Sequence, residues 1–233
     1  MTGFEAPKSW DPINRSGING LLADNTVNPT QLMEYFRANS FVREQMDLFV
    51  VRHHPLTLET HTKMVLIQFK KYFSQVKFSF PFSHNLFIVT LILHDLGKPK
   101  AILDGDKALQ HKYTVPVLEN FLEAMDFTPQ EIRVSTGLIG GDPIGEFLKK
   151  NQTDPNIPAG KIKKMSQKSG MDLKIFWEIL LVYYQVDASA YTEDAGWRPA
   201  LDHLFCFDPE NRRMDLNQSI MDKVEKIKIE VFD

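Results

Sequence analysis

The chain has 233 residues, 43 % of them apolar and 24 % charged, with a formal net charge of −3. This composition excludes a disordered, collagenous or disulfide-stapled chain and leaves one large domain, or one domain with a modest extension. The slightly acidic balance gives no global field toward nucleic acid or anionic lipid, and the single cysteine, Cys206, excludes an internal disulfide and a multi-cysteine zinc site.

The start of the chain has no basic stretch and no apolar run, so no secretory signal is expected, and a cytoplasmic location is. The longest apolar runs, Phe87–Leu93 and Ile179–Val186, fall far short of the ~18–20 residues that span a bilayer. The first 28 residues are rich in Pro, Gly and Asn. They are expected to form an irregular arm anchored by Trp10, Ile13, Leu21 and Leu22. Asn28-Pro29-Thr30 starts a helix that reaches about Asn39, and a second helix is expected from Phe41 to about Arg52. Between Leu56 and Val76 the apolar spacings of three and four are helical. Phe78–Phe82 alternates like a strand, but Pro81 argues against one. Ser83 caps the next helix, which is expected to run through Leu86–Leu96 and to stop at Gly97, with Pro99 beyond. Being apolar nearly all round, it belongs at the centre of the fold.

Asp104-Gly105-Asp106 is a turn, and His111 to about Met125 is helical. Thr128-Pro129-Gln130-Glu131 is a capping box. Gly140-Gly141-Asp142-Pro143 breaks the chain, a short segment follows to Lys150, and 151–158 is expected as a loop. Pro158–Ser169 reads as a basic surface helix and Leu173–Ala190 as a second strongly apolar one. A loop with Trp197, Phe205 and Phe207 leads to a final helix near Asn217–Ile229. The expected fold is therefore all-α. Its expected parts are an extension (1–55), a main domain (56–200) and a C-terminal loop and helix completing it (201–233).

The chemistry concentrates in Leu93-His94-Asp95-Leu96-Gly97-Lys98-Pro99. Burying a carboxylate at the end of so apolar a helix costs several kcal/mol unless a cation or strong donors compensate it. A divalent ion does so, and imidazole with carboxylate is a good ligand pair. His61 and Asp187 lie on two other apolar helices. Two imidazoles and two carboxylates from three core segments can hold one ion and leave positions open for water and substrate.

This set resembles the HD phosphohydrolase superfamily, whose signature is a His, a His-Asp pair and a distant Asp on a helical bundle. The resemblance spans roughly Leu56–Tyr191. It rests on Glu59-Thr60-His61-Thr62, on Leu93 to Pro99, on Gln110-His111-Lys112 and on Val186-Asp187-Ala188, in that order. It is closest in flavour to the HD domain of bacterial CCA-adding tRNA nucleotidyltransferases. No nucleotidyltransferase head is found, so a stand-alone HD domain with an irregular N-terminal extension is expected.

The resemblance implies His61, His94, Asp95 and Asp187 as metal ligands. It implies His111 as a group that contacts phosphate, protonates the leaving group or serves a second metal. A further His of binuclear members is missing at Leu138-Ile139-Gly140-Gly141-Asp142. Asp142 either stands in for it or caps the helix that Pro143 opens. One divalent ion (Mn, Mg, Fe, Co, Ni or Zn) is accordingly expected rather than two. Asp95, His111 and Lys98 are the expected catalytic residues. Lys98, Lys112, His111 and Arg198 are the expected substrate contacts, Lys98 foremost.

The remaining candidates have plainer readings. His53 and His54 end a helix, and His84 and His203 are surface or core-edge residues. Lys161, Lys163, Lys164 and Lys168 form a solvated face, while Phe78, Phe80 and Phe82 cluster near a loop. The expected function is metal-dependent hydrolysis of a phosphomonoester, with a cyclic phosphodiester as a second form. The substrate is expected to be a nucleotide or a similar small phosphorylated metabolite. The alternative is a catalytically silent HD domain that binds a nucleotide or a protein. Neither a membrane nor nucleic acid is an expected partner, and oligomeric state has no signature in the sequence.

Overall fold

The computed structural model describes residues 4–23, 28–50, 56–78, 82–149, 153–191 and 198–233, apart from residue 209 and the side chains of 198–200. It is an all-α bundle with one small hairpin. The described residues 4–23 do lie on the domain, but not wholly as an irregular arm. Arg15–Ala23 is a helix (α1) that buries Ile18. Its two glycines hide it from propensity, and docking supplies what propensity lacks. Upstream, the Trp10 ring meets Phe121 edge-on at 4.8 Å, and its indole N–H donates to Asn120 Oδ1 at 2.8 Å.

α2 (Pro29–Arg37) starts as expected, with Asn28 and Gln31 forming a reciprocal capping box. α3 (Ser40–Met46) is capped by Asn39 and ends earlier than the sequence suggests. Residues 47–50 of that expected helix are not helical, and residues 51–54, with His53 and His54, lie outside the described residues. α4 (Leu58–Gln68) continues into a wide π-helical turn at Phe69–Phe73. Of the phenylalanines clustered near the loop, Phe78 and Phe82 pack on Phe87 and belong to the core, whereas Phe80 lies outside the described residues.

α5 (His84–Leu93) is capped by Ser83 and buries seven of its ten residues. It ends at Leu93, earlier than Gly97. A turn through His94–Gly97 follows, and α6 (Lys98–Leu103) begins at once. Gly97 and Pro99 therefore open a new helix instead of stopping the old one. Proline at the second helical position fits, because its missing N–H has no partner there anyway. The glycine is required for closeness. A Cβ on Gly97 would stand 2.5 Å from the Thr114 nitrogen and 2.7 Å from the Tyr113 carbonyl carbon. Its N–H donates to Thr114 Oγ1 at 3.0 Å. The His-Asp turn is thereby pinned to α7 (Gln110–Ala124).

α8 (Pro129–Leu138) has the expected capping box. α9 (Pro143–Lys149) follows the glycine break, and α10 (Asn156–Ser169) starts inside the expected loop. α10 is less superficial than its lysines suggest, because it buries Ile162 and Met165 and packs on α8. α11 (Leu173–Ala188) passes beside α4, and α4 packs on α5. α12 (Arg198–Leu204), then β1 (Phe205–Asp208) paired antiparallel with β2 (Arg213–Leu216), replace the expected loop. α13 (Gln218–Phe232) closes the chain against α10. No described helix is long and apolar enough to cross a membrane.

Candidate metal centre

His61 comes from the middle of α4, His94 and Asp95 from the turn after α5, and Asp187 from the last turn of α11. One ligand atom from each of the four lies within 4.8 Å of the other three. His61 Nε2 is 2.9 Å and His94 Nε2 3.2 Å from Asp187 Oδ1, and each is 3.5 Å from Asp95 Oδ2. Bonds of about 2.0–2.2 Å to a divalent ion, set at roughly 90–110°, put neighbouring donor atoms about 3–3.5 Å apart. The four His–carboxylate pairs already have that spacing. Three are at most 5 % exposed, while Asp187 is 28 % exposed and marks the side on which the cluster opens.

The hydrogen-bond chemistry also asks for a cation. His94 Nδ1 is 2.6 Å from the Leu91 carbonyl oxygen, which only accepts, so Nδ1 carries the hydrogen. In neutral His94, Nε2 is then a bare lone pair facing the carboxylate oxygen of Asp187, another acceptor. Either a proton on His94 or a metal ion between the two relieves that repulsion. A carbonyl behind an imidazole is the usual outer support of a metal-binding His. His61 Nδ1 is buried without a partner among the described residues, whereas Nε2 faces the Asp187 carboxylate, so without an ion the hydrogen sits on Nε2, and ligation through Nε2 would move it to Nδ1.

Charge is balanced tightly here. Burial alone would lower the His94 pKa, but Asp95 and the hydrogen bond to Asp187 carry it above its ordinary value. For His61, burial and the Lys98 charge win and lower it. Burial would raise Asp95, yet Lys98 and His94 hold it at about 2. Against the same penalty, the two imidazoles keep Asp187 well below the carboxylate range. Lys98, 2 % exposed, donates to Asp95 Oδ2 and, at 3.0 Å, to the Tyr191 hydroxyl. Burial would depress this ammonium, but Asp95 keeps it firmly charged. The Tyr191 ring lies 4.8 Å from that of His61, and burial pushes its phenol up to about 12.

The other sequence candidates are placed differently. Asp142 is not one of the four clustered groups. Its Oδ1 accepts from the Gly145 N–H at 2.9 Å, so it caps α9, the plainer of its two expected roles. His111 Nδ1 is 2.8 Å from the Ile139 carbonyl oxygen. With Lys112 it lines a depression of about 370 Å³ that shares no lining residue with the cavity at Asp187. Arg198 starts α12, and its side chain lies outside the described residues.

Sequence reasoning missed Lys107 and Lys149, which line the Asp187 cavity, and passed over His203, which does so too. Periodicity cannot find them, since they reach the site from turns and helix ends. Their only signal was nearness to Asp104-Gly105-Asp106 and to the glycine break. No family model matches the chain, and no curated protein or solved structure matches it either.

Proposed function

We propose that the protein is a metal-dependent phosphohydrolase. In this reading it hydrolyses the phosphomonoester of a small metabolite such as a nucleotide, with a cyclic phosphodiester as a second form. The observation that carries the reading is the convergence of His61 Nε2, His94 Nε2 and the Asp95 and Asp187 carboxylates at metal-ligand spacing beside a cavity of about 610 Å³. Bound there, a divalent ion supplies a nucleophilic water at neutral pH and neutralises charge on a phosphoryl oxygen.

The chain's own groups do the rest. Lys98 holds the Asp95 carboxylate in its orientation, and Tyr191 holds Lys98. The Leu91 carbonyl keeps the His94 hydrogen on Nδ1 and leaves Nε2 for ligation. His111 opens on the separate depression, so the role of leaving-group acid is not carried into this reading, and the leaving oxygen takes its proton from solvent. Phosphoryl transfer needs positioning and charge neutralisation more than covalent chemistry, which suits this inventory.

The test is turnover of a chromogenic phosphomonoester with Mn²⁺, Mg²⁺, Co²⁺ and Ni²⁺ in turn. Activity that disappears in a folded Asp95→Ala variant is expected. No turnover of any phosphoester with any of these ions would overturn the reading and leave a binding module.

A further inference from the structure

Among the described residues the cavity that Asp187 enters has a mixed lining: Lys107, Lys149 and Lys223 are cationic, Lys149 pairing with Asp142, while Tyr184, Tyr191 and His203 add polar tips. The greater part of its surface is apolar, with Ile102, Leu204 and Ile220 among its side chains. Lys107 stands in the fields of Asp95 and Asp187 and has no ion-pair partner among the described residues. Lys107 is exposed at the rim of the cavity with the cations Lys98 and Lys149 nearby, and an anion there would offset their mutual repulsion. Lys98, by contrast, is already paired with Asp95.

Against the apolar share of this lining a ribose or a base loses water from most of its polar groups, with only the few polar tips to replace it, which is costly. An alkyl or aryl group gains from the same burial. We propose that this cavity takes a phosphomonoester with an apolar alcohol portion, an alkyl or aryl phosphate, and that Lys107 contacts its phosphate beside the metal centre. The inference rests on the phosphohydrolase reading for the phosphate end only. The aliphatic lining stands apart from it.

Binding of non-hydrolysable phosphonates to the full-length, Mn²⁺-loaded protein tests this by titration calorimetry. Hexylphosphonate is expected to bind about tenfold or more tightly than methylphosphonate, given the gain per buried methylene, and more tightly than the methylene phosphonate analogue of adenosine monophosphate. Lys107→Ala is expected to weaken all three alike, by about tenfold, as loss of one charge-assisted bond would, and Lys107→Arg to restore them. Ile102→Trp, which fills the cavity, is expected to remove the preference for hexyl while methylphosphonate binding stays. Leu204→Gln gives the same readout should the tryptophan variant not fold.

Equal binding of hexyl- and methylphosphonate, or tighter binding of the nucleoside analogue, would overturn the proposal. Hexyl selectivity without hydrolysis of any phosphomonoester would refute the hydrolase reading and leave the cavity assignment standing. Hydrolysis with a preference for nucleotides would do the reverse.

Discussion

Lys98 and Asp95 form a buried pair in which each is the other's main compensation. Removing one partner leaves the other charge stranded, which costs about 3–5 kcal/mol in buried pairs. Lys98→Met is therefore expected to lower the metal-free unfolding free energy by about that amount in urea melts, and added Mn²⁺ is expected to recover part of the loss. The His94 proton gives a pH signature. Its pKa is raised above 6.5, so it stabilises the metal-free fold at lower pH, and that contribution is lost as pH rises through the elevated value. Metal binding displaces the same proton and strengthens over the same rise. The gain in Tm on adding Mn²⁺ is expected to be larger at about pH 8 than at about pH 6. An equal gain at both would mean that His94 is not a ligand.

At the level of elements, the site depends on how closely the turn after α5 approaches α7. Gly97→Ala forces a methyl group against the Thr114 and Tyr113 backbone. It is expected to cost about 1–3 kcal/mol, the usual range for overpacking, and to weaken metal binding by shifting His94 and Asp95. Thr128→Ala removes the cap of α8 and is expected to cost about 1 kcal/mol with metal affinity unchanged. Comparing the two by calorimetry separates lost stability from lost geometry.

The same elements show what a sequence can and cannot reveal here. His94, Asp95 and Asp187 stood out because each is a polar residue on a strongly apolar helix or at its end, where burial demands a compensating partner, while His61, on the more mixed α4, was legible only together with them. Gly97 was visible, but its purpose was not, since close approach to α7 is a tertiary fact. α1 escaped notice because glycine lowers its propensity. β1 and β2, four residues each, are too short for alternation to register. The cavity lysines come from a short turn of helix (Lys107), the end of α9 (Lys149) and the interior of α13 (Lys223), which only the assembled fold brings together.

For the molecule as a whole, the N-terminal segment docks on α7 and the C-terminal helix α13 packs on α10. Trp10 fixes the first of these through Phe121 and Asn120 of α7. Trp10→Ala is expected to cost about 3–5 kcal/mol, as loss of a buried large aromatic does, and a loss near zero would mean the segment is not docked. The bundle's purpose, in this account, is to carry four ligands on three separate segments to one point. The most direct test is the number of Mn²⁺ ions bound per chain after equilibrium dialysis, measured by elemental analysis in the wild type and in Asp187→Ala. The account predicts one ion per chain, lost in the variant while its circular dichroism stays helical. A wild type that binds none, or a folded variant that keeps its ion with undiminished affinity, would contradict it.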